Sequence, residues 1–159
     1  DFVNQSYIRF PLWMIEINWF GADPDRIQNP KPLPIDRCTT VYPGEIGEKT
    51  KFCAFVVTNP CNPLRNNSFN WLSQYKKVDS GGRFMNNIGQ PVSDKRKFQS
   101  EYKFSIAFEN NAYRPQQPGY TTEKIMEPMS VNSIPLYWGN PLITKEFNAK
   151  SFVNFYDFN

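Results

Sequence analysis

The sequence has 159 residues, of which 40% are hydrophobic and 21% charged, and its net charge is +3. This is one domain's worth of chain with an ordinary globular composition, and the charge is far below that of a dedicated nucleic-acid-binding protein. Because the chain contains no histidine, a Ser-His-Asp triad, a histidine general base and a Cys/His zinc site are excluded.

The apolar runs are much shorter than the ~20 residues that span a bilayer, and the N-terminus lacks the charged-then-apolar pattern of a signal peptide. We therefore expect a soluble chain, cytoplasmic or peripheral to the inner membrane if its source is microbial. Because the first residue is Asp1 rather than Met, we also expect a trimmed protein or a part of a longer one.

Residues 1–50 are predicted to form an irregular N-terminal segment that packs on a domain formed by residues 51–159. Apolar residues are dense in 1–20, which indicates a short helix or strand, and five prolines between residues 21 and 43 predict an extended linker or surface loop. Asp23-Pro24-Asp25 has the D-x-D spacing of a metal–nucleotide motif, but this pattern is short and its central proline favours a turn.

Strand and helix patterns alternate from Lys51 onward. Residues 52–57 form a continuous apolar run that is typical of a buried parallel strand. Pro63 predicts the first turn of a helix that Asn62 caps, and a short strand beginning at Val78 should stop at Gly81-Gly82. The later predicted elements are a polar helix (94–102), a strand (103–109), a helix (122–131), a strand (134–138), a short helix (143–147) and a strand (151–155). This alternation predicts an α/β, Rossmann-like domain with a mainly parallel sheet.

The most informative stretch is residues 104–141. Its first strand runs into Phe108-Glu109-Asn110, and a Pro/Gln-rich loop then leads to Gly119-Tyr120 and to the cap pair Thr121-Thr122. Glu123-Lys124 opens a short helix, and a second strand closes at Gly139-Asn140-Pro141. Because open α/β sheets bind ligands at the carboxyl ends of their strands, this order of elements predicts a ligand site here.

Two basic residues are candidates for binding an anion. Lys124 lies at a predicted helix start, where free N–H groups and the helix dipole favour negative charge. Arg65 lies in the first turn of another helix, where a cation is unfavourable unless an anion bridges it to the helix end. The alternatives are a surface Lys124 paired with Glu127 at i+3, and a surface Arg65 that reaches across its loop.

Three neighbouring polar residues are candidates for orienting a ligand. Glu123 can accept hydrogen bonds from vicinal hydroxyls, Tyr120 can donate to a phosphate or stack on a sugar, and Asn110 can reach either group. Each also has a structural explanation: an acid that favours the helix dipole, a tyrosine packed on the sheet edge, and an Asx turn.

The cysteines Cys38, Cys53 and Cys61 are odd in number and include no C-x-x-C pair, so we expect buried or half-buried thiols rather than a disulfide or a metal site. No metal-ligand set is evident. We expect no required cofactor, while a divalent metal is left open. Gly81-Gly82-Arg83 lacks the spacing of a phosphate loop and indicates a turn.

The pattern F-E-N, a variable loop, Y-x-T-E-K, a helix and a proline-containing strand that ends in glycine resembles the donor-binding motif of the α-1,3-fucosyltransferases, glycosyltransferase family 10. The resemblance covers residues 50–158 well and 1–20 weakly. It implies the donor-binding, C-terminal Rossmann-like half of a two-domain GT-B enzyme. The acceptor domain, which carries the expected catalytic base, has no counterpart here, so we expect a fragment. The loop 111–118 is longer and richer in Pro and Gln than is usual in the family.

By this resemblance, the residues that match donor-contacting positions are Arg65, Asn110, Tyr120, Glu123 and Lys124. The implied reaction is inverting transfer of L-fucose from GDP-fucose to a GlcNAc or Glc hydroxyl of a β-galactoside glycan, with this chain supplying the donor site. No catalytic residue is identified, and the expected partners are GDP-fucose and the glycan acceptor.

Two other classes of protein are left open. One is a non-catalytic nucleotide- or glycan-binding module with the same fold. The other is a binder of RNA or single strands, which the aromatic content and the clusters Lys76-Lys77 and Lys95-Arg96-Lys97 suggest. The remaining basic residues are scattered, and we therefore expect no nucleic-acid partner.

Overall fold

The structure, a computed structural model, describes residues 10–18, 27–28, 44–110 and 118–158. Strands β1 (Ile17–Asn18) and β2 (Ile27–Gln28) form a small parallel pair. The main sheet has five parallel strands in the order β4-β3-β5-β6-β7. Their bounds are β3 (Lys51–Phe55), β4 (Val78–Ser80), β5 (Tyr102–Phe108), β6 (Ile134–Trp138) and β7 (Val153–Asn154). The predicted α/β class with a mainly parallel sheet is confirmed.

The described α-helices are α1 (Gly44–Gly47), α2 (Pro63–Tyr75), α3 (Lys95–Gln99) and α4 (Glu123–Met129). The side chain of Asn62 caps α2 by accepting a hydrogen bond from the backbone N–H of Arg65 at 3.0 Å. Asp94 caps α3 and Thr122 caps α4 in the same way. These side chains satisfy backbone N–H groups that have no partner within the helix, and the predicted caps at Asn62 and Thr122 are confirmed.

Apolar side chains cover both faces of the main sheet. The face under α2 contains Cys53, Phe55, Val57, Phe69, Val78, Ile106, Phe108 and Trp138. The face under α4 contains Ala107, Ile125, Tyr137, Ile143 and Phe152. Adjacent residues of a strand point to opposite faces, so the neighbours Ala107 and Phe108 of β5 belong to different clusters. The helices are thereby fixed on the sheet, and their N-termini are placed at its carboxyl edge.

Several predicted elements are shorter than the sequence indicates. The strand predicted at 52–57 ends at Phe55, and the helix predicted at 94–102 is reduced to α3. The helix predicted at 143–147 is a 3₁₀ turn, Ile143–Lys145. Residues 151–155 contribute only the two residues of β7 as a strand, since 3₁₀ turns precede and follow it. The side chains of Asn148 and Asn154 accept hydrogen bonds from backbone N–H groups two residues further on, and such local bonds compete with sheet pairing.

Part of the N-terminal segment contacts the main domain. A 3₁₀ turn at Leu12–Glu16 lies beside α4, and the indole N–H of Trp13 donates to the carboxylate of Glu146 at 2.9 Å. The ring of Trp13 also packs on Phe147, with 5.2 Å between ring centroids. Within the described ranges, no helix is long and apolar enough to cross a bilayer.

Candidate functional site

A polar cavity of about 190 Å³ opens at the carboxyl ends of β3 and β5. In the strand order β4-β3-β5-β6-β7, the strand that follows β3 in sequence lies on one side of β3. The later strands β5, β6 and β7 are added on its other side. The gap between β3 and β5 is therefore the topological switch point, where open α/β sheets bind their ligands. Four of the five predicted site residues line the cavity: Arg65, Asn110, Glu123 and Lys124.

Arg65 is buried at the base of α2, with 1% of its surface exposed. Its guanidinium donates to the side-chain oxygen of Asn110 and to the backbone carbonyl of Asn59. Burial lowers the pKa of Arg65, while Cys61 and Glu109 act in the opposite direction. The Nε–H group is buried and has no hydrogen-bond partner in the described part of the chain. The alternative of a surface arginine is wrong, and one donor of a buried cation stays uncommitted beside the cavity.

Lys124 faces the same cavity from the first turn of α4. Its ammonium lies 3.0 Å from Glu123 Oε1, 3.1 Å from Thr122 Oγ1 and 3.7 Å from Glu109 Oε2. Burial opposes its charge, but these two carboxylates outweigh burial and raise the pKa of Lys124, so the side chain is a cation at neutral pH. The alternative in which Lys124 pairs with Glu127 is wrong.

Two further polar residues of α3, Lys95 and Gln99, line the cavity, and neither was predicted to belong to this site. Lys95 binds Glu127, which removes that carboxylate from Lys124. Gln99 is buried, and its Oε1 has no hydrogen-bond partner in the described part of the chain. The lining therefore carries a spare donor, Arg65 Nε, and a spare acceptor, Gln99 Oε1.

Glu123 and Tyr120 flank Lys124. Burial raises the pKa of the Glu123 carboxyl, but the charge and hydrogen bond of Lys124, the backbone N–H of Glu123 and the charge of Lys95 together lower it, so this partly exposed carboxyl is ionised. Tyr120 lies next to the cavity rather than in its lining, close enough for the charges of Glu109, Lys124 and Glu123 to act on it. Burial, followed by the negative charge of Glu109, raises the pKa of Tyr120, so its hydroxyl remains a proton donor at neutral pH.

Glu109, the central residue of F-E-N, joins the elements of the site although its role was not predicted. Its carboxylate accepts from the backbone N–H of Thr122 at 2.8 Å and from the hydroxyl of Thr122 at 2.6 Å. Its backbone carbonyl accepts from Asn62 Nδ2 at 2.7 Å. Gly139 makes room for it, because a Cβ there would lie 2.3 Å from Glu109 Cγ. An acid directly after an apolar strand, with glycine closing the neighbouring strand, was the available signal.

Asn140 anchors the loop that carries Tyr120, and this role was also missed. Its side chain accepts from the backbone N–H groups of Gly119 and Leu142 and donates to Thr121 Oγ1 and Glu146 Oε1, at 2.9 to 3.0 Å. Asn140 itself has no exposed surface. The amide therefore ties the start of α4 to the end of β6.

The described residues hold no group of three His, Cys, Asp or Glu side chains that could bind a metal ion. Cys53 is buried and Cys61 is exposed, and both are free thiols, so the expectation of burial is wrong for Cys61. Cys38 and Asp23-Pro24-Asp25 lie outside the described residues. Gly82 packs against the backbone of Val57, since a Cβ there would lie 2.0 Å from its carbonyl oxygen. This close approach agrees with the turn expected at Gly81-Gly82.

Relatives of this chain are fucosyltransferases. The α-(1,3)-fucosyltransferase FucT of Helicobacter pylori is 44% identical over 110 residues, which cover 69% of this chain and 22% of the relative. The α-(1,3)-fucosyltransferase B of Drosophila melanogaster is 42% identical over 76 residues, which cover 47% of this chain and 16% of the relative. This chain therefore spans about a fifth of the length of these relatives.

Solved structures give the same result. A crystal structure of an α-1,3-fucosyltransferase with GDP-fucose matches with a TM-score of 0.64 and 43% identity, covering 69% of this chain and 31% of that chain. A crystal structure of an α-1,3-fucosyltransferase with GDP gives the same values of TM-score and identity.

The C-terminal model of glycosyltransferase family 10 (fucosyltransferase) matches residues 46–159, which include the whole main sheet. The chain belongs to glycosyltransferase family 10, the fucosyltransferases, and corresponds to the family's C-terminal region.

Proposed function

We propose that this chain forms the donor site of an α-1,3-fucosyltransferase and binds GDP-fucose. The observation that carries this proposal is the pair of cations that face one cavity at the switch point of the sheet: the buried Arg65 of α2 and the largely enclosed Lys124 of α4, whose side chain is 17% exposed. A diphosphate needs positive charge and N–H donors from more than one direction, and the guanidinium of Arg65 and the ammonium of Lys124 provide them here. The crystal structure of a relative with GDP-fucose supports the choice of donor.

The remaining site residues have roles that follow from their positions. Glu123 is ionised and half-exposed, so it accepts hydrogen bonds from hydroxyls of the ribose or the fucose. Tyr120 keeps its proton and donates to a phosphate oxygen. Asn110 orients Arg65 through its side-chain oxygen and can offer its amide N–H₂ to the ligand.

In the proposed reaction, the hydroxyl oxygen of a β-galactoside glycan acceptor attacks C1 of fucose as the bond from C1 to the diphosphate oxygen breaks. The electron pair of that bond leaves with GDP, and Arg65 and Lys124 stabilise the charge that develops on the diphosphate. Attack on the face opposite the leaving group inverts the configuration at C1. A general base must take the proton of the hydroxyl, and we place it on the acceptor side of a two-domain enzyme.

This division of roles predicts binding without efficient transfer by the 159-residue chain on its own. A non-catalytic binding module with the same fold makes a different prediction, because it would stay inactive after the acceptor side is supplied. Fusion to the N-terminal part of the H. pylori relative distinguishes the two: recovered transfer of fucose supports an enzyme, and binding without transfer supports the module. We also propose a location in the cytoplasm or at the periphery of the inner membrane.

The proposal is tested by calorimetric titration of the chain with GDP, UDP and ADP. We expect selective binding of GDP that Arg65→Ala and Lys124→Ala both weaken. Lys97→Ala is the matched control, since it removes an exposed lysine of α3. Failure of the folded wild-type chain to bind any of the three nucleotides would contradict the donor-site assignment.

A further inference from the structure

Glu109 stands out because its carboxylate is buried at a site where a diphosphate is expected. Only 1% of its surface is exposed, yet Lys124 at 3.7 Å is the sole cation that the structure records in an ion pair with it, among the described residues. Burial raises the pKa of Glu109 above its usual range, although Lys124 and the two hydrogen bonds from Thr122 act in the opposite direction. The charged form of this carboxyl thus depends on a cation that the ligand also needs.

The charges that face one another at the empty site nearly cancel. Lys124 and Arg65 supply two positive charges, and Glu123 and Glu109, whose two oxygens both accept hydrogen bonds as a carboxylate does, supply two negative ones. Lys95 also lines the cavity, but its ion pair with Glu127 balances its charge. The other titratable groups that act on Glu109 or Lys124 are Tyr120 and Tyr137, whose pKa values are raised, so both are neutral at physiological pH. A sugar-nucleotide diphosphate adds two further negative charges, and one of the carboxylates must then lose its counter-ion.

Burial decides which carboxylate this is. The side chain of Glu123 is 31% exposed, so water or ligand hydroxyls can solvate its charge once Lys124 turns to the phosphates. Glu109 is only 1% exposed, too little for water to solvate its charge, and a carboxylate in that position is neutralised by protonation rather than left charged without a cation. Thr122 occupies only two of the roughly four lone-pair sites on the Glu109 carboxylate oxygens, so a lone pair remains that can take a proton.

We propose that Glu109 is a positioning residue that holds the ammonium of Lys124 in the empty site and takes up one proton from solvent when a sugar-nucleotide diphosphate draws that ammonium away. This inference rests on the proposed function, since it presumes that the cavity receives a diphosphate. Glu109 also fixes where both cations lie. Its carbonyl holds Asn62, the cap beneath Arg65, and its carboxylate holds Thr122, the cap beneath Lys124.

The test is calorimetric titration of the chain with GDP-fucose in buffers that differ in ionisation enthalpy, which counts the protons taken up on binding. GDP-fucose is the probe because, unlike GDP, it has no terminal phosphate with a pKa near 6. We expect uptake by the wild-type chain and by Glu123→Gln, and none by Glu109→Gln. Glu101→Gln, which alters an exposed ion pair with Lys51, should behave as the wild type.

The pH dependence of the affinity has a fixed sign. The complex binds more protons than the free components, so binding strengthens as the pH falls and weakens as it rises from the pKa of Glu109 in the free chain to its higher pKa in the complex. The slope is at most about tenfold in affinity per pH unit. Wild-type binding without proton uptake, or uptake that persists in Glu109→Gln, would overturn the proposal.

A second measurement keeps the failure of this inference separate from failure of the proposed function. The titration of the Lys124 ammonium is followed by NMR in the unliganded wild-type chain and in Glu109→Gln. We expect a lower pKa of Lys124 in the variant, because a carboxylate that stabilises its charge is lost. An unchanged pKa refutes the counter-ion role.

If the wild-type chain binds no GDP-fucose, the proposed function and the diphosphate step both fail, and this titration still decides the counter-ion assignment. If Glu109→Gln does not fold, the proton counts of the wild-type chain and Glu123→Gln remain decisive.

Discussion

Two replacements of Arg65, by methionine and by lysine, distinguish the contribution of its charge from that of its planar array of donors. Arg65→Met keeps a similar volume but removes both, and loss of charge-assisted hydrogen bonds to a diphosphate costs about 1.5–3 kcal/mol. We therefore expect GDP to bind about 10- to 150-fold more weakly. Arg65→Lys keeps the charge, but an ammonium cannot contact Asn59, Asn110 and a phosphate through one rigid fork, so its affinity should be intermediate.

The stability of the same variants checks this reasoning. Burying a guanidinium with an unpartnered Nε is costly, and methionine removes that cost while leaving the acceptors on Asn59 and Asn110 unpaired. Because the two effects oppose each other, we expect the free energy of unfolding to change by no more than about 2 kcal/mol. Urea denaturation measures this change, and calorimetry measures the affinity. A folded Arg65→Met chain that binds GDP within twofold of the wild type would refute the assignment of Arg65 to the diphosphate.

Two further predictions concern the groups that support the site, and urea denaturation measures both. Asn140→Ala removes four hydrogen bonds from a side chain with no exposed surface, so it should lower the free energy of unfolding by about 3 kcal/mol or more. A loss below 1 kcal/mol would show that the network is dispensable. Gly139→Ala places a Cβ 2.3 Å from Glu109 Cγ and should cost about 1–3 kcal/mol through overpacking. Gly47→Ala, where a Cβ meets nothing within 4 Å, is its control, and an equal effect of both would contradict the close approach.

The sequence was sufficient for the parts of the fold that depend on local pattern. The apolar run before Thr58, the Asn62-Pro63 helix start and the strand 134–138 each have a short-range cause, and all lie within two residues of their predicted positions. The resemblance also named four residues that do meet at one cavity. Their convergence depends on strand order, which places β3 beside β5, and local pattern alone does not fix that order.

The supporting residues were harder to find because their partners are distant in sequence. Glu109 contacts groups 13 residues later and 47 residues earlier, so its role depends on three separate elements. The alternative that pairs Lys124 with Glu127 is wrong for the same reason. The i+3 rule describes an isolated helix, whereas here Lys95 of α3 takes Glu127 and leaves Lys124 to Glu109 and Glu123.

The same contacts hold the site together on both sides of residues 111–117. Glu109, which precedes residues 111–117, accepts hydrogen bonds from Thr122, which follows them. Gly119, at the other end of the segment, donates to Asn140. Both ends of the segment are thus held by residues of the main domain. Closing a longer loop between fixed ends costs little, about 0.6 kcal/mol for each doubling of its length, which is less than the contribution of one typical buried hydrogen bond. The positions of Asn110 and Lys124 are therefore set by Glu109 and Thr122 rather than by the segment between them.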